Sequence, residues 1–151
     1  MYKKELDSFG KQTTKDLVLN YIKMGLKASG AFESGLVYET SDKSIEIKAP
    51  LHARVMETGR RAGKFPPMDA ILKWVQLGKI VKRDNITDEQ LAFLIARKIA
   101  REGIKVPNQH NVGKVISSIL LDGRIEQLLE QIQKKELNNV EVEIFKYYKN
   151  V

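Results

Sequence analysis

The chain has 151 residues, with 26 Lys and Arg against 19 Asp and Glu, a net charge of +7 and 42% hydrophobic residues. This balance excludes collagen-like, low-complexity and wholly disordered chains, and the length fits one domain with its own core. Cysteine is absent, which removes disulfides, thiolate nucleophiles and Cys-based zinc sites.

No apolar run approaches the ~20 residues a membrane-spanning helix needs. Residues 1–7, Met-Tyr-Lys-Lys-Glu-Leu-Asp, lack the apolar core of a signal peptide. The expectation is a soluble protein made in the cytoplasm. A pI near 9.5 permits contact with nucleic acid, but the cations are spread along the chain without a basic tail.

The spacing predicts a first helix starting near Thr13 or Thr14, either of which could cap it. Leu17, Val18, Tyr21 and Ile22 form its apolar stripe, and Leu6 could begin an earlier extension. Residues 34–40 are rich in strand-preferring side chains, 41–44 read as a turn, and Ile45-Glu46-Ile47-Lys48 alternates with period two. Together they predict a β-hairpin that needs cover on its apolar face, for which the first helix is nearest. Val55 and Met56 fit a short helical turn or a strand end, stopped by Gly59.

The segment Gly59-Arg60-Arg61-Ala62-Gly63-Lys64-Phe65-Pro66-Pro67 reads as a loop of defined shape, because glycines open backbone angles and prolines close them. Pro67 suits the first position of a second helix, with Asp69 in its first turn and Gly78 at its end. Thr87-Asp88-Glu89-Gln90 is a capping box for a third helix ending at Gly103. Its Ala92 and Ala96 would let another helix approach closely. A fourth helix is predicted after Asn111, with a stripe from Val115 to Ile132 that Gly123 could interrupt. Val140 to Phe145 alternates cleanly and predicts a third strand. The expected fold is a single α+β domain spanning 1–151, about four helices packed with a small antiparallel sheet. Leu36, Ile45, Ile47, Ile71, Val75, Ile95 and Ile99 are expected in the core.

The chemistry-bearing residues are sparse. His52 and His110 are the two histidines, and neither lies in a metalloprotease or nucleophile-elbow context. Glu141 and Glu143 would share one face of the predicted strand, but nothing in the sequence supplies the cleft and shifted pKa that acid–base catalysis needs. Gly59 to Gly63 lacks the strand–loop–helix setting of a phosphate cradle. No cofactor or metal is expected. Arg54, Arg60, Arg61 and Lys64 crowd one loop against a single acid, Glu57, while Arg97, Lys98 and Arg101 crowd the end of one helix, where the macrodipole favours cations. The loop could touch DNA phosphates without reading sequence, or pair with acids on a partner subunit.

Residues 56–67, Met-Glu-Thr-Gly-Arg-Arg-Ala-Gly-Lys-Phe-Pro-Pro, then 70–75, Ala-Ile-Leu-Lys-Trp-Val, then 91–103, Leu-Ala-Phe-Leu-Ile-Ala-Arg-Lys-Ile-Ala-Arg-Glu-Gly, carry a resemblance. In order and spacing this series is similar to that of tailed-bacteriophage head–tail joining proteins, also termed neck, connector or tail-completion proteins. It covers residues 14–105, and the C-terminal third matches by pattern alone. The resemblance implies a non-enzymatic structural virion protein, assembled in the host cytoplasm, forming a ring between portal and tail around the DNA channel. It favours a twelve-fold ring, with six-fold the alternative, and portal or adaptor and tail proteins as partners. Physics adds that a ring protomer needs two complementary surfaces. Arg54, Arg60, Arg61, Lys64, Phe65, Pro66 and Pro67 are the expected interface loop, and Glu141 and Glu143 its charge-complementary counterpart. Phe65 either anchors between subunits or packs beneath its own loop. The alternative function is a non-specific DNA-binding module using the same basic loop.

Overall fold

The computed structural model describes residues 1–83 and 85–149, with side chains through residue 141 apart from residue 84. In chain order the elements are α1 (Lys3–Lys23), α2 (Ala31–Gly35), β1 (Val37–Thr40), β2 (Ile45–Lys48), α3 (His52–Thr58), α4 (Met68–Gln76), α5 (Asp88–Glu102), α6 (Ser117–Leu120) and α7 (Arg124–Lys149). The fold is a single α+β domain whose two-stranded antiparallel sheet packs on α1. No helix among the described residues is long and apolar enough to cross a membrane.

α1 starts at Lys3, ahead of the expected Thr13 or Thr14, and Leu6 lies inside it. The helix buries Leu6, Gly10, Thr13, Leu17 and Tyr21, three or four apart on one face. Its first half escapes a search for apolar stripes because two of those positions are Gly and Thr. The reason is close contact: a Cβ at Gly10 would lie 2.5 Å from the Tyr38 ring. The hairpin pairs Tyr38 with Ile47 and Thr40 with Ile45, and this half-buried face covers α1 as expected.

The core gathers Leu17, Tyr21, Phe32, Leu36, Ala53 and Val115. Phe32 is fully buried on α2, with its ring centroid 4.5 Å from that of Tyr21. Of the expected core residues, Leu36 and Val75 are buried, whereas Ile45, Ile47, Ile71, Ile95 and Ile99 are half-buried.

α4 and α5 pack on each other as a helical hairpin. Pro67 stands one place earlier than expected, as the residue before the first helical turn. The capping box forms as expected: the Gln90 N–H donates to Thr87 Oγ1 at 3.2 Å, and the Thr87 N–H donates to Gln90 Oε1 at 3.1 Å. Ala92 and Ala96 are fully buried, where a small side chain lets α4 approach.

The expected fourth helix is split. Asn111 does not cap it. Its side chain instead accepts from the Gly113 N–H and donates to the Met56 carbonyl, both at 2.8 Å, pinning this loop to α3. Gly123, at φ +88°, separates α6 from α7. Arg124 then fastens the start of α7 to α1 through Asp16 at 3.0 Å, with Asp122 at 2.9 Å on the other side.

The expected third strand is helical: residues 140–145 lie within α7. Alternation of Val and Glu satisfies a strand pattern locally. No sheet edge receives it, and α7, anchored at Arg124 and again where Lys135 meets Glu5 at 2.7 Å, continues through it. A helix already formed propagates at little cost per residue.

Candidate functional site

The basic loop is built by a joint between the ends of two helices. α3 and α5 each end in a glycine, Gly59 at φ +80° and Gly103 at φ +73°. The next residues pair as a short antiparallel bridge. The Arg60 N–H donates to the Ile104 carbonyl at 2.9 Å, and the Ile104 N–H donates to the Arg60 carbonyl at 2.8 Å. A Cβ on Gly59 would sit 2.2 Å from the Ile104 oxygen, and one on Gly103 would sit 2.3 Å from the Arg60 oxygen. Both positions therefore require glycine twice over, for the left-handed angle and for the close approach. The Gly63 N–H adds a bond of 2.7 Å to the Ala100 carbonyl, satisfying a last-turn oxygen of α5 that has no partner within the helix.

Arg60 works inward. Its Nη2 donates to the carbonyls of Lys64 and Phe65, both at 3.2 Å. A guanidinium spanning two carbonyls fixes the loop's curvature, so Arg60 shapes the expected interface rather than presenting its charge there. Phe65 stacks on Phe93 of α5, centroids 6.1 Å apart, yet stays 51% exposed beside a Phe93 that is 50% exposed. It is thus supported from its own chain and still offers half its surface. Pro66 is buried, and Pro67 is exposed. Phe93 is the partner that sequence reasoning missed, since nothing local marks it beyond its place off the buried face of α5.

Glu57 also faces inward. Its carboxylate accepts from the N–H of Ile116 at 2.8 Å and of Ser117 at 3.3 Å. Burial pushes this carboxyl up, but the donors of Ile116, Ser117 and Val115 outweigh that and hold it below its ordinary 4.5. The one acid in the basic stretch is therefore spent on the fold.

Comparison with protein-family models, with curated proteins and with solved structures found no match.

The corner that remains is strongly positive. Arg54, Arg61 and Lys64 are exposed, and so are Arg97, Lys98 and Arg101 on the last turns of α5. The bonds from Arg60 to Ile104 and from Gly63 to Ala100 lay the loop against that helix end. The loop that carries Arg61 and Lys64 is thus brought to the basic end of α5, while Arg54 lines a groove between α3 and α6. Arg101 pairs with Glu102, while among the described residues Arg54, Arg61, Lys64, Arg97 and Lys98 form no ion pair.

The expected counterpart is not brought to this corner as a flat acidic strand. Glu141 is exposed on α7, and Glu143 lies on the same helix with its side chain outside the described residues. Two residues apart on a helix is a rotation of roughly 200°, so the two positions do not share a face. His52 meets the Phe32 ring edge-on at 6.4 Å, and His110 lies in the exposed turn 108–111. Among the described residues no group of His, Asp and Glu is arranged to hold a metal ion.

Proposed function

We propose that this chain is a structural protein of a tailed-bacteriophage virion, one subunit of a ring at the head–tail connector between portal and tail. The observation that carries this reading is the joint. Gly59, Arg60 and Gly103, which lie among the motifs of the resemblance, meet in one interlocked turn, and Glu57 tethers the helix beside it. Those motifs are thereby explained as the frame of a rigid corner, with no step of chemistry asked of them. Among the described residues the corner carries exposed cations that form no ion pair, Arg61, Lys64, Arg97 and Lys98, and a half-exposed Phe65, and Phe and Arg are frequent anchors of protein interfaces.

The ring is of the twelve-fold type a portal would match, with a six-fold ring the alternative that a tail tube would match. Its neighbours are portal or adaptor and tail proteins, and its place is the virion. Arg61 and Lys64 carry the contact, while Arg60 holds the loop that presents them. Replacing both, Arg61→Glu with Lys64→Glu, is expected to leave the circular dichroism spectrum unchanged and to abolish incorporation into particles. Normal incorporation of that double variant sinks the interface role.

The approach of the basic loop to the basic end of α5 favours a second reading, a module that binds duplex DNA without regard to sequence. That reading expects a gel shift whose affinity falls steeply as salt rises. Tight binding of this kind counts against a channel that must let DNA pass, so the same titration separates the two.

A further inference from the structure

Among the described residues, α7 takes no part in the core. The buried cluster around Leu17, Phe32 and Val115 includes none of its residues, and neither do the partly buried apolar side chains packed on that cluster, the last of which along the chain is Ile119. The chain is anchored as far as α6, where Asn20 Nδ2 donates to the Val115 carbonyl at 2.8 Å and to Ser118 Oγ at 3.2 Å. Gly123 follows at φ +88°, and a Cβ there would meet nothing within 4 Å. From Arg124 to Glu141, Leu128 is the one buried side chain of α7.

Charge is what fastens this helix to α1. Arg124 reaches Asp16 at 3.0 Å, and Lys135 reaches Glu5 at 2.7 Å and the Met1 carbonyl at 3.1 Å. Tyr2 adds a hydrogen bond to Glu136. The Arg124 and Asp16 side chains are only 17% and 25% exposed, so salt screens them little, and removing one partner leaves the other charge uncompensated. Between the ties the two helices do not close on each other. A polar cavity of about 280 Å³ lies there, lined by Gln12, Thr13, Gln127 and Gln131 beside the Arg124 pair. Helices joined by interdigitating apolar side chains leave few such voids.

We propose that α7 is a latched arm. Cutting its two ion pairs lets it swing away from α1 about Gly123 while the core stays closed. Release uncovers one buried apolar side chain, Leu128, on a helix of 26 residues, so the ties decide the balance. Carboxylates presented by a partner compete for Arg124 and Lys135 and are the chemistry that opens the latch. This inference concerns a single chain and does not rest on the ring reading.

The absence of native cysteine lets two spin labels be placed freely. Full-length chains carry Lys43→Cys on the β1–β2 turn and Asn139→Cys on α7, both at exposed positions. The distance between the labels is read by pulsed electron paramagnetic resonance. With the latch intact, one narrow distance is expected. Glu5→Gln with Asp16→Asn removes both carboxylates and keeps their shapes. That variant is expected to raise a second, longer-distance population at least tenfold, because a bond to a charged group is worth about a factor of ten or more. Hydrogen exchange should quicken about tenfold at the amides of residues 127–136, since a helix without tertiary support frays, and less than about twofold at 17–21. Gly123→Ala touches no tie and strains only the closed angle, so it is expected to raise the same population by a smaller factor. One narrow distance in the charge variant overturns the arm. Equal acceleration at 17–21 also overturns it, because α7 would then open only with the core. An unmoved distribution in Gly123→Ala removes the pivot and the swing with it.

Discussion

The body around α1 and the α4–α5 hairpin differ in how they are held. The body closes on a contiguous core in which Leu17, Phe32 and Val115 are at most 1% exposed, reinforced by the Arg124 and Lys135 ties between α1 and α7. The hairpin buries little beyond Val75, Ala92 and Ala96, and leaves Trp74, Leu77, Phe93 and Leu94 between 41% and 50% exposed. It is joined to the body by backbone bonds at Arg60 and Ile104 and by the loop 108–117. Both regions expose apolar side chains, Leu51 and Leu121 of the body among them, but only the body closes a contiguous buried core, and the hairpin depends on its joint to that body for its place.

The sharpest way to break this contrast is to empty the body. Phe32→Ala is expected to cost about 3–5 kcal/mol, enough to unfold much of the population, as read by the thermal midpoint. A loss below about 1 kcal/mol would show that the body is not the stable unit.

The joint comes next. Gly103→Ala forces a Cβ into the Arg60 carbonyl at a positive φ, and the strain is expected to cost about 1–3 kcal/mol. Hydrogen exchange should show the loss first in amides of residues 60–63 and the end of α5, with the body little changed. Uniform loss across both regions would mean that they unfold as one.

Glu57→Gln is expected to cost about 1–2 kcal/mol near neutral pH, by weakening charge-assisted bonds to the backbone. The pH sign follows from the lowered carboxyl. Its stabilisation is present above the unfolded value of 4.5 and is lost as pH falls through the lower folded value. The wild type should therefore lose stability more steeply than Glu57→Gln as pH falls from about 4.5 through the lower folded value, and the two profiles should run parallel below it. Profiles parallel throughout would remove Glu57 from the joint.

The smallest effect is expected in the hairpin itself. Thr87→Ala should cost about 1 kcal/mol by removing one half of the capping box, read as an earlier opening of α5 with the body unaffected.

Much of the frame was legible in the sequence because it depends on neighbours in the chain. The capping box at Thr87, the stop at Gly103, the hairpin around 41–44 and the small Ala92 and Ala96 are all local signals. The failures were places where a distant segment decides. The first half of α1 lacks an apolar stripe because Gly10 gives way to Tyr38. Residues 140–145 alternate like a strand yet continue a helix fixed at Arg124 and Lys135. Arg60 reads as surface charge in the sequence, whereas in the fold its guanidinium spans the carbonyls of Lys64 and Phe65.

Local chemistry along the chain suffices for the class of fold, the shape-restricting glycines and prolines of the loop, and the excess of positive charge. Which charges face outward depends on packing between distant segments. Arg60 and Glu57 are drawn in by backbone groups that would otherwise lack partners, and Arg61 and Lys64, which form no ion pair among the described residues, lie exposed beside the end of α5. Backbone polarity must be satisfied wherever chain segments meet, and where they meet depends on contacts far apart in sequence.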